Sequence, residues 1–328
     1  MNNLFFRRLT VAAATALFLA TTALAQTNGG VVSIVVPQPA GNPTDGVARK
    51  LQPLLQKELG QAVFVENAPG AGGSIGVQKV LAQGQPNTLP LLIVSQTEPI
   101  LTPMTIKGAR YKAEDLKAVA VVARLPYILT ARPDLPAVTP AQLAELAKRS
   151  SVPLSFANIG PGSMIHLLGE QWARKNGVAV NQIPYKGVPP VVQDLMGGQV
   201  DLTFLPLGGS TLSMIQSGKV KAIATSSASS PTQLPALPSI AGSGANMSDF
   251  VYGTWIALLV PAKVPPEVVG RLNRAIVAAM QDADFQSYVK TAGMDLVTTN
   301  SLPEVERFYK EETRLYQDLA RKIGVTAE

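Results

Sequence analysis

The sequence predicts an α/β fold in two lobes, and three observations carry that prediction. Short runs rich in Val, Ile and Leu alternate with segments of helical period. Behind an N-terminal leader there remain roughly 300 residues, more than one hydrophobic core usually serves. Loop formers cluster at residues 124–126 and 248–254, each beside a strand-like run, where the chain can cross from one lobe to the other.

The leader comes first. Arg7 and Arg8 precede an apolar run over residues 9–20, which is followed by Ala23-Leu24-Ala25. A basic start, an apolar stretch and a small-residue cleavage site make residues 1–25 an export signal, which predicts a periplasmic protein. The apolar run is too short to span a hydrocarbon core of about 30 Å. Strand-like runs then follow at residues 32–36, 63–66, 91–94, 118–123, 154–157, 202–204 and 222–225. Their continuous apolar character fits strands buried on both faces of largely parallel sheets. With the crossovers above, residues 26–124 form the first part of lobe 1, residues 125–249 form lobe 2, and residues 250–328 return to lobe 1. In that return Val268, Leu272, Ala275, Ile276 and Ala279 fall at helical spacing, and Pro303-Glu304 suits the start of a last helix. Pro53 predicts a kink in the first helix.

Composition narrows the function. The chain has no cysteine, so disulfides, a thiol nucleophile, a cysteine metal site and a lipid anchor on cysteine are all ruled out. The formal charge is +6, and two of those units sit on Arg7 and Arg8, leaving +4 behind the leader. The excess is scattered, with no basic run interleaved with aromatics, so nucleic acid is not an expected partner; a weak preference for anionic solutes is. His166 is the only histidine and no carboxylate cluster accompanies it, so no metal or other cofactor is expected.

Four strand-to-helix loops hold the candidate chemistry. In the first, residues 35–45, Asn42 suits a helix N-cap, Pro43 the first helical position and Asp45 a capping-box partner. Such a helix start leaves N–H groups at the carboxyl edge of a sheet, where anions bind; plain helix capping is the alternative. The second loop, residues 67–76, contains Gly72-Gly73-Ser74-Ile75-Gly76, which also matches the G-x-S-x-G elbow of a serine hydrolase with Ser74 as nucleophile. Against that reading, the single His166 lies mid-chain, whereas the base of such enzymes comes late. A dinucleotide loop fails because Ile75 fills the place of the last glycine. In the third loop, residues 158–166, Ser163 can cap a helix with His166 in its first turn, as a ligand contact or as a surface histidine. The fourth, residues 183–190, offers Tyr185 and Lys186, with Tyr185 preferred as the contact. Two such loops in each lobe suit a two-sided clamp.

The chain resembles the Bug-type extracytoplasmic receptors of tripartite tricarboxylate transporters across essentially its whole length behind the leader. The resemblance rests on Val36-Pro37-Gln38-Pro39-Ala40-Gly41-Asn42-Pro43-Thr44-Asp45, on Glu66-Asn67-Ala68-Pro69-Gly70-Ala71-Gly72-Gly73-Ser74-Ile75-Gly76, and on Gly162-Ser163 with His166. It continues through Pro184-Tyr185-Lys186-Gly187, Gly197-Gly198-Gln199-Val200-Asp201 and Ser217-Gly218-Lys219-Val220-Lys221. It implies a type II periplasmic-binding-protein fold whose lobes close over one small organic carboxylate. It also implies a monomer that performs no chemistry and delivers its solute to membrane permease subunits; a sensor serving a membrane signalling partner uses the same clamp.

By the same resemblance the first lobe holds the acid through backbone N–H groups and ordered water, from Gln38, Ala40, Gly41, Thr44, Asp45, Gly73 and Ser74, with Ser95, Thr97 and Thr254 beside them. The second lobe reads the far end through Asn158, Gly160, Ser163, His166, Tyr185 and Leu207. Relatives usually carry an aromatic residue in place of Gln38, a glycine in place of Asn42, and often Asp or Asn in the stretch that here reads Phe204-Leu205-Pro206-Leu207. Residues 84–89 also depart from the family pattern. With Leu207 in place of an acid, the expected solute is a carboxylate without an amino group, possessing an apolar or aromatic body.

Overall fold

The computed structural model describes residues 30–82, 88–208 and 210–324. The export signal over residues 1–25 and the altered stretch at residues 84–87 lie outside the described residues. Sheets and helices alternate from the start: β1 (Val31–Val36), α1 (Pro43–Leu59), β2 (Val63–Asn67), α2 (Ser74–Ala82) and β3 (Thr88–Val94). β1 is central and parallel to both β2 and β3, as strands joined by crossover helices must be. After β3 come a π-helical turn, Thr97–Leu101, and the single helical turn α3 (Thr102–Thr105).

The first crossover is a strand, not a loop. β4 (Leu116–Ala131) runs unbroken for 16 residues. Residues 116–126 of it pair with β9 (Gly253–Pro261) in the first lobe. Residues 127–131 pair with β7 (Leu202–Pro206), and residues 128–131 also pair with β8 (Lys221–Thr225), in the second lobe. Pro126 fits because its missing N–H falls where the strand changes partners. Between these crossings the second lobe repeats the first: α4 (Pro140–Arg149), β5 (Leu154–Asn158), α5 (Met164–Asn176), β6 (Val180–Pro184) and α6 (Val188–Met196), with β5 parallel to β6 and β7. The short α7 (Thr211–Gln216) leads into β8. Parallel pairing therefore holds where a helix joins the strands and fails along β4 and β9, whose neighbours are mainly antiparallel.

The chain returns through β9 to α8 (Pro266–Ala279), α9 (Ala283–Thr291), β10 (Asp295–Leu296) and α10 (Leu302–Ile323). Ser301 and Glu304 close a reciprocal capping box at the start of α10, one residue before Pro303. The apolar face of α8, with Leu272, Ala275, Ile276 and Ala279 all buried, packs with Val47, Ala48 and Leu51 of α1 in one core. α1 continues through Pro53 without interruption. Among the described residues no helix is long and apolar enough to cross a membrane.

Candidate functional site

The carboxyl ends of β1, β3, β5, β6 and β7 open onto one cleft of about 650 Å³ between the lobes, within the usual size of a small-molecule site. Lobe 1 supplies Pro37, Gln38, Thr44, Gly73, Ser95 and Thr97; lobe 2 supplies Ile159, Ser163, Met164, Ile165, Tyr185 and Val188. Leu125, Tyr127, Thr254 and Trp255, on the crossing strands, also line it. The lobes meet beside it, because a Cβ built on Gly162 would lie 2.0 Å from Thr105 Cγ2.

The helix starts are built as their sequences require. Asn42 caps α1 by accepting from the Asp45 N–H at 3.0 Å, and Ser163 caps α5 by accepting from the His166 N–H at 3.3 Å. A helix leaves its first N–H groups without carbonyl partners of its own, and each cap takes only the third. Thr44 in α1, and Met164 and Ile165 in α5, therefore keep first-turn N–H groups at the cleft wall, one from one lobe and two from the other. The start of α6 offers less, since Pro189 and Pro190 have no N–H. Among the described residues lining the cleft, the charged side chains are Glu98 and Lys186; no arginine is present. Helix starts and Lys186 are then the sources of attraction for an anion.

Of the residues expected from the sequence, Gln38, Thr44, Gly73, Ser95, Thr97, Ser163, Tyr185 and Thr254 line the cleft, and eight others do not. Ala40 and Gly41 are exposed, and the Gly41 N–H is spent on Asp45 Oδ2 at 3.0 Å. Asp45 is buried and faces its own loop: its carboxylate also accepts from Arg49 Nε and Asn67 Nδ2. Burial pushes that carboxyl up, but bonds from Arg49, Gly41 and Asn67 outweigh it and hold it below the ordinary range. Ser74 is buried in the first turn of α2. Asn158 is turned inward, donating to Gln182 and accepting the Gly160 N–H at 2.8 Å. The Gly160 carbonyl is taken by the Ser163 hydroxyl. His166 accepts the Gly162 N–H at Nδ1, bracing the loop from behind. Leu207 is wholly buried in an apolar cluster with Ile128, Leu212 and Leu237, so neither it nor an acid in its place would face the cleft.

Two side chains behave differently from expectation. The Tyr185 ring lines the cleft, but its hydroxyl donates to Asp194 Oδ2 at 2.6 Å; burial and that acceptor push the phenol up to about 12. Glu98, in the π-helical turn after β3, escaped the sequence reading. It is 3% exposed, lines the cleft, accepts from Gln38 Nε2, and accepts from the Ser95 N–H and Oγ at 3.0 and 2.9 Å. Gly73 permits this, since a Cβ there would meet Glu98 Cγ at 2.5 Å. The available signal was Ser95-x-x-Glu98, which has the spacing of a capping box.

Comparison with known proteins converges on one family. Residues 47–325 match the tripartite tricarboxylate transporter family receptor. Protein BugT of Bordetella pertussis is 33% identical over 299 residues, covering 89% of each chain. The solved structure of the periplasmic binding protein BugD is 34% identical, covers 92% of this chain and all of its own, and superposes with a TM-score of 0.81. Two structures from Rhodopseudomonas palustris, each 25% identical, were solved with acids: Rpa4515 with adipate, with coverage of 92% and 100% and a TM-score of 0.83, and MatC with malate, with coverage of 89% and 99% and a TM-score of 0.79. These relatives are binding receptors, not enzymes, and the elbow reading of Ser74 goes with neither them nor its buried position. A two-lobed α/β chain with helix starts facing a shared cleft, matched along most of its length to such proteins, belongs to the family of tripartite tricarboxylate transporter receptors.

Proposed function

We propose that this receptor captures a small organic carboxylate between its lobes in the periplasm and hands it to the membrane subunits of a tripartite transporter. The observation that carries the reading is the set of first-turn residues, Thr44 from one lobe and Met164 and Ile165 from the other, that line one cleft without an arginine. Helix starts of this kind hold carboxylates by dipole and hydrogen bond. Gln38, Thr44, Gly73, Ser95, Thr97, Ser163, Tyr185 and Thr254 surround the solute; Asp45, Asn158, Gly160 and His166 hold the loops in position. The adipate and malate of the two neighbours support the ligand class.

A bound solute bridging both lobes favours the closed arrangement, and binding to the folded state raises stability by RT ln(1 + [L]/Kd). A thermal-shift panel of mono- and dicarboxylates, aromatic acids and amino acids tests this, with neutral amides of the same acids as controls. Hits among acids whose amides are silent support the reading; a panel in which amides bind as well as acids refutes it.

A further inference from the structure

One buried acid in the cleft is not used by the carboxylate reading. Glu98 accepts one hydrogen bond at Oε1, from Gln38, and two at Oε2, both from Ser95. A carboxylate has about four acceptor positions; bonds from other residues fill three, leaving on Oε1 one that no other residue occupies, while the backbone N–H of Glu98 itself also leans on the carboxylate. Among the described residues, no ion pair involves Glu98. The phenols of Tyr111 and Tyr127 feel its charge; the Tyr111 hydroxyl is spent on the Glu98 carbonyl at 2.7 Å. Lys186 reaches the cleft from the opposite lobe.

The Ser95 N–H can only donate, so Oε2 must remain a bare acceptor. As Gln38 is oriented, its amide nitrogen also donates to Oε1, although the same amide turned over would accept a proton there. The surroundings are thus arranged for a charged carboxylate, while burial pushes the carboxyl up and penalises that charge. A buried anion served by donors but no cation is incomplete, and closing the cleft over it removes still more water.

We infer that Glu98 is a specificity-determining residue which receives a protonated nitrogen of the solute at Oε1. The solute is then a zwitterionic carboxylate, with its acid on first-turn N–H groups and its cation against Glu98. This rests on the carboxylate reading above and reverses the expectation of a solute without an amino group. That expectation followed from Leu207, whereas the acid comes from a different element, the turn after β3.

The test is calorimetric titration of the mature protein, stripped of solute, with matched acids that differ by one nitrogen: glutamate and glutarate, 4-aminobutanoate and pentanoate, 4-(aminomethyl)benzoate and 4-methylbenzoate. In the pairs that bind, the ammonium member is expected to bind at least about tenfold more tightly. Glu98→Gln should bring the two members within about threefold while retaining the member without the nitrogen. Its amide oxygen can keep both Ser95 bonds if the Gln38 amide turns over to accept. Glu98→Asp keeps the charge and should keep the preference, and the wild-type comparison stands even if a variant misfolds. Acids that bind without regard to the nitrogen, or a preference that survives Glu98→Gln, overturn the inference and leave the carboxylate reading intact. Nitrogen-free acids that bind more tightly than their ammonium partners, and more so at about pH 5 than at neutrality, identify Glu98 as a neutral donor and also overturn it. Silence from every acid removes the carboxylate reading and this inference with it.

Discussion

Gly162→Ala places one methyl group where the lobes meet. The new Cβ would lie 2.0 Å from Thr105 Cγ2, 2.4 Å from its Cβ and 2.7 Å from its Oγ1. Thr105 cannot easily swing aside, being buried and donating to the Leu101 carbonyl at 3.1 Å. Ordinary carbon contacts need roughly 3.5–4.0 Å, so the lobes must part by about 1.5 Å there. Overpacking of this kind costs about 1–3 kcal/mol. The clash exists only with the lobes together, so it should lower solute affinity by about 5- to 150-fold. The left-handed φ of +72° at this position adds strain of about 1 kcal/mol whether the lobes touch or not, a loss of roughly 2–4 °C in the Tm of the solute-free protein. Fluorescence titration through Trp255, which lines the cleft, measures the first effect, and melting without solute measures the second. Thr105→Gly removes all three clashing atoms, so the double variant should recover most of the lost affinity. Affinity within about twofold of wild type, alongside the expected fall in Tm, would refute lobe contact at Gly162 in the bound state.

Other perturbations follow from the same geometry. Tyr185→Phe should leave affinity within about threefold, because the hydroxyl serves Asp194, while Tyr185→Ala, which removes the ring from the cleft wall, should cost about tenfold or more by titration. Ser163→Ala removes the cap of α5 and should cost about 1 kcal/mol in urea unfolding. Asp45 has a lowered carboxyl, so its stabilising bonds are present above the unfolded value of about 3.9 and are lost as the pH falls through the folded value. Asp45→Asn should therefore cost about 1–3 kcal/mol at neutral pH in urea unfolding. The same variant should flatten the decline of stability below about pH 4, and an unchanged acid slope would refute the assignment.

Strands buried on both faces were legible because an apolar run needs no partner to be recognised: residues 32–36, 154–157 and 222–225 fall within β1, β5 and β8. β6 was not, since Asn181 and Gln182 lie in a half-exposed strand at the end of the sheet order and look like loop. The caps of Asn42 and Ser163 could be read from three-residue spacings. Whether a capped loop faces the solute depends on longer-range bonds. Asp45 and Asn67 are 22 residues apart, and their bond turns the carboxylate away from the cleft; Gln38 and Glu98 are 60 apart, and theirs holds an acid at the cleft wall. Residue spacing within one loop contains neither fact. Leu207 shows the same limit, because its apolar neighbours come from β4, α7 and the chain after β8.

β4 belongs to both sheets, so neither lobe owns a complete set of strands. Expressing residues 127–252 alone would keep the five residues of that strand that pair with β7 and β8 but sever them from the eleven that pair with β9 and β10. Each half of β4 would keep its partners but lose the continuous backbone that fixes it against the other lobe, and lobe 1 would be left in two separate pieces, one ending at residue 126 and one starting at residue 253. Dissection by truncation is thus a poor route to studying the halves separately, and biosensors made from this scaffold should carry their reporters as insertions at surface turns such as the one around Gly218, leaving the shared strand whole.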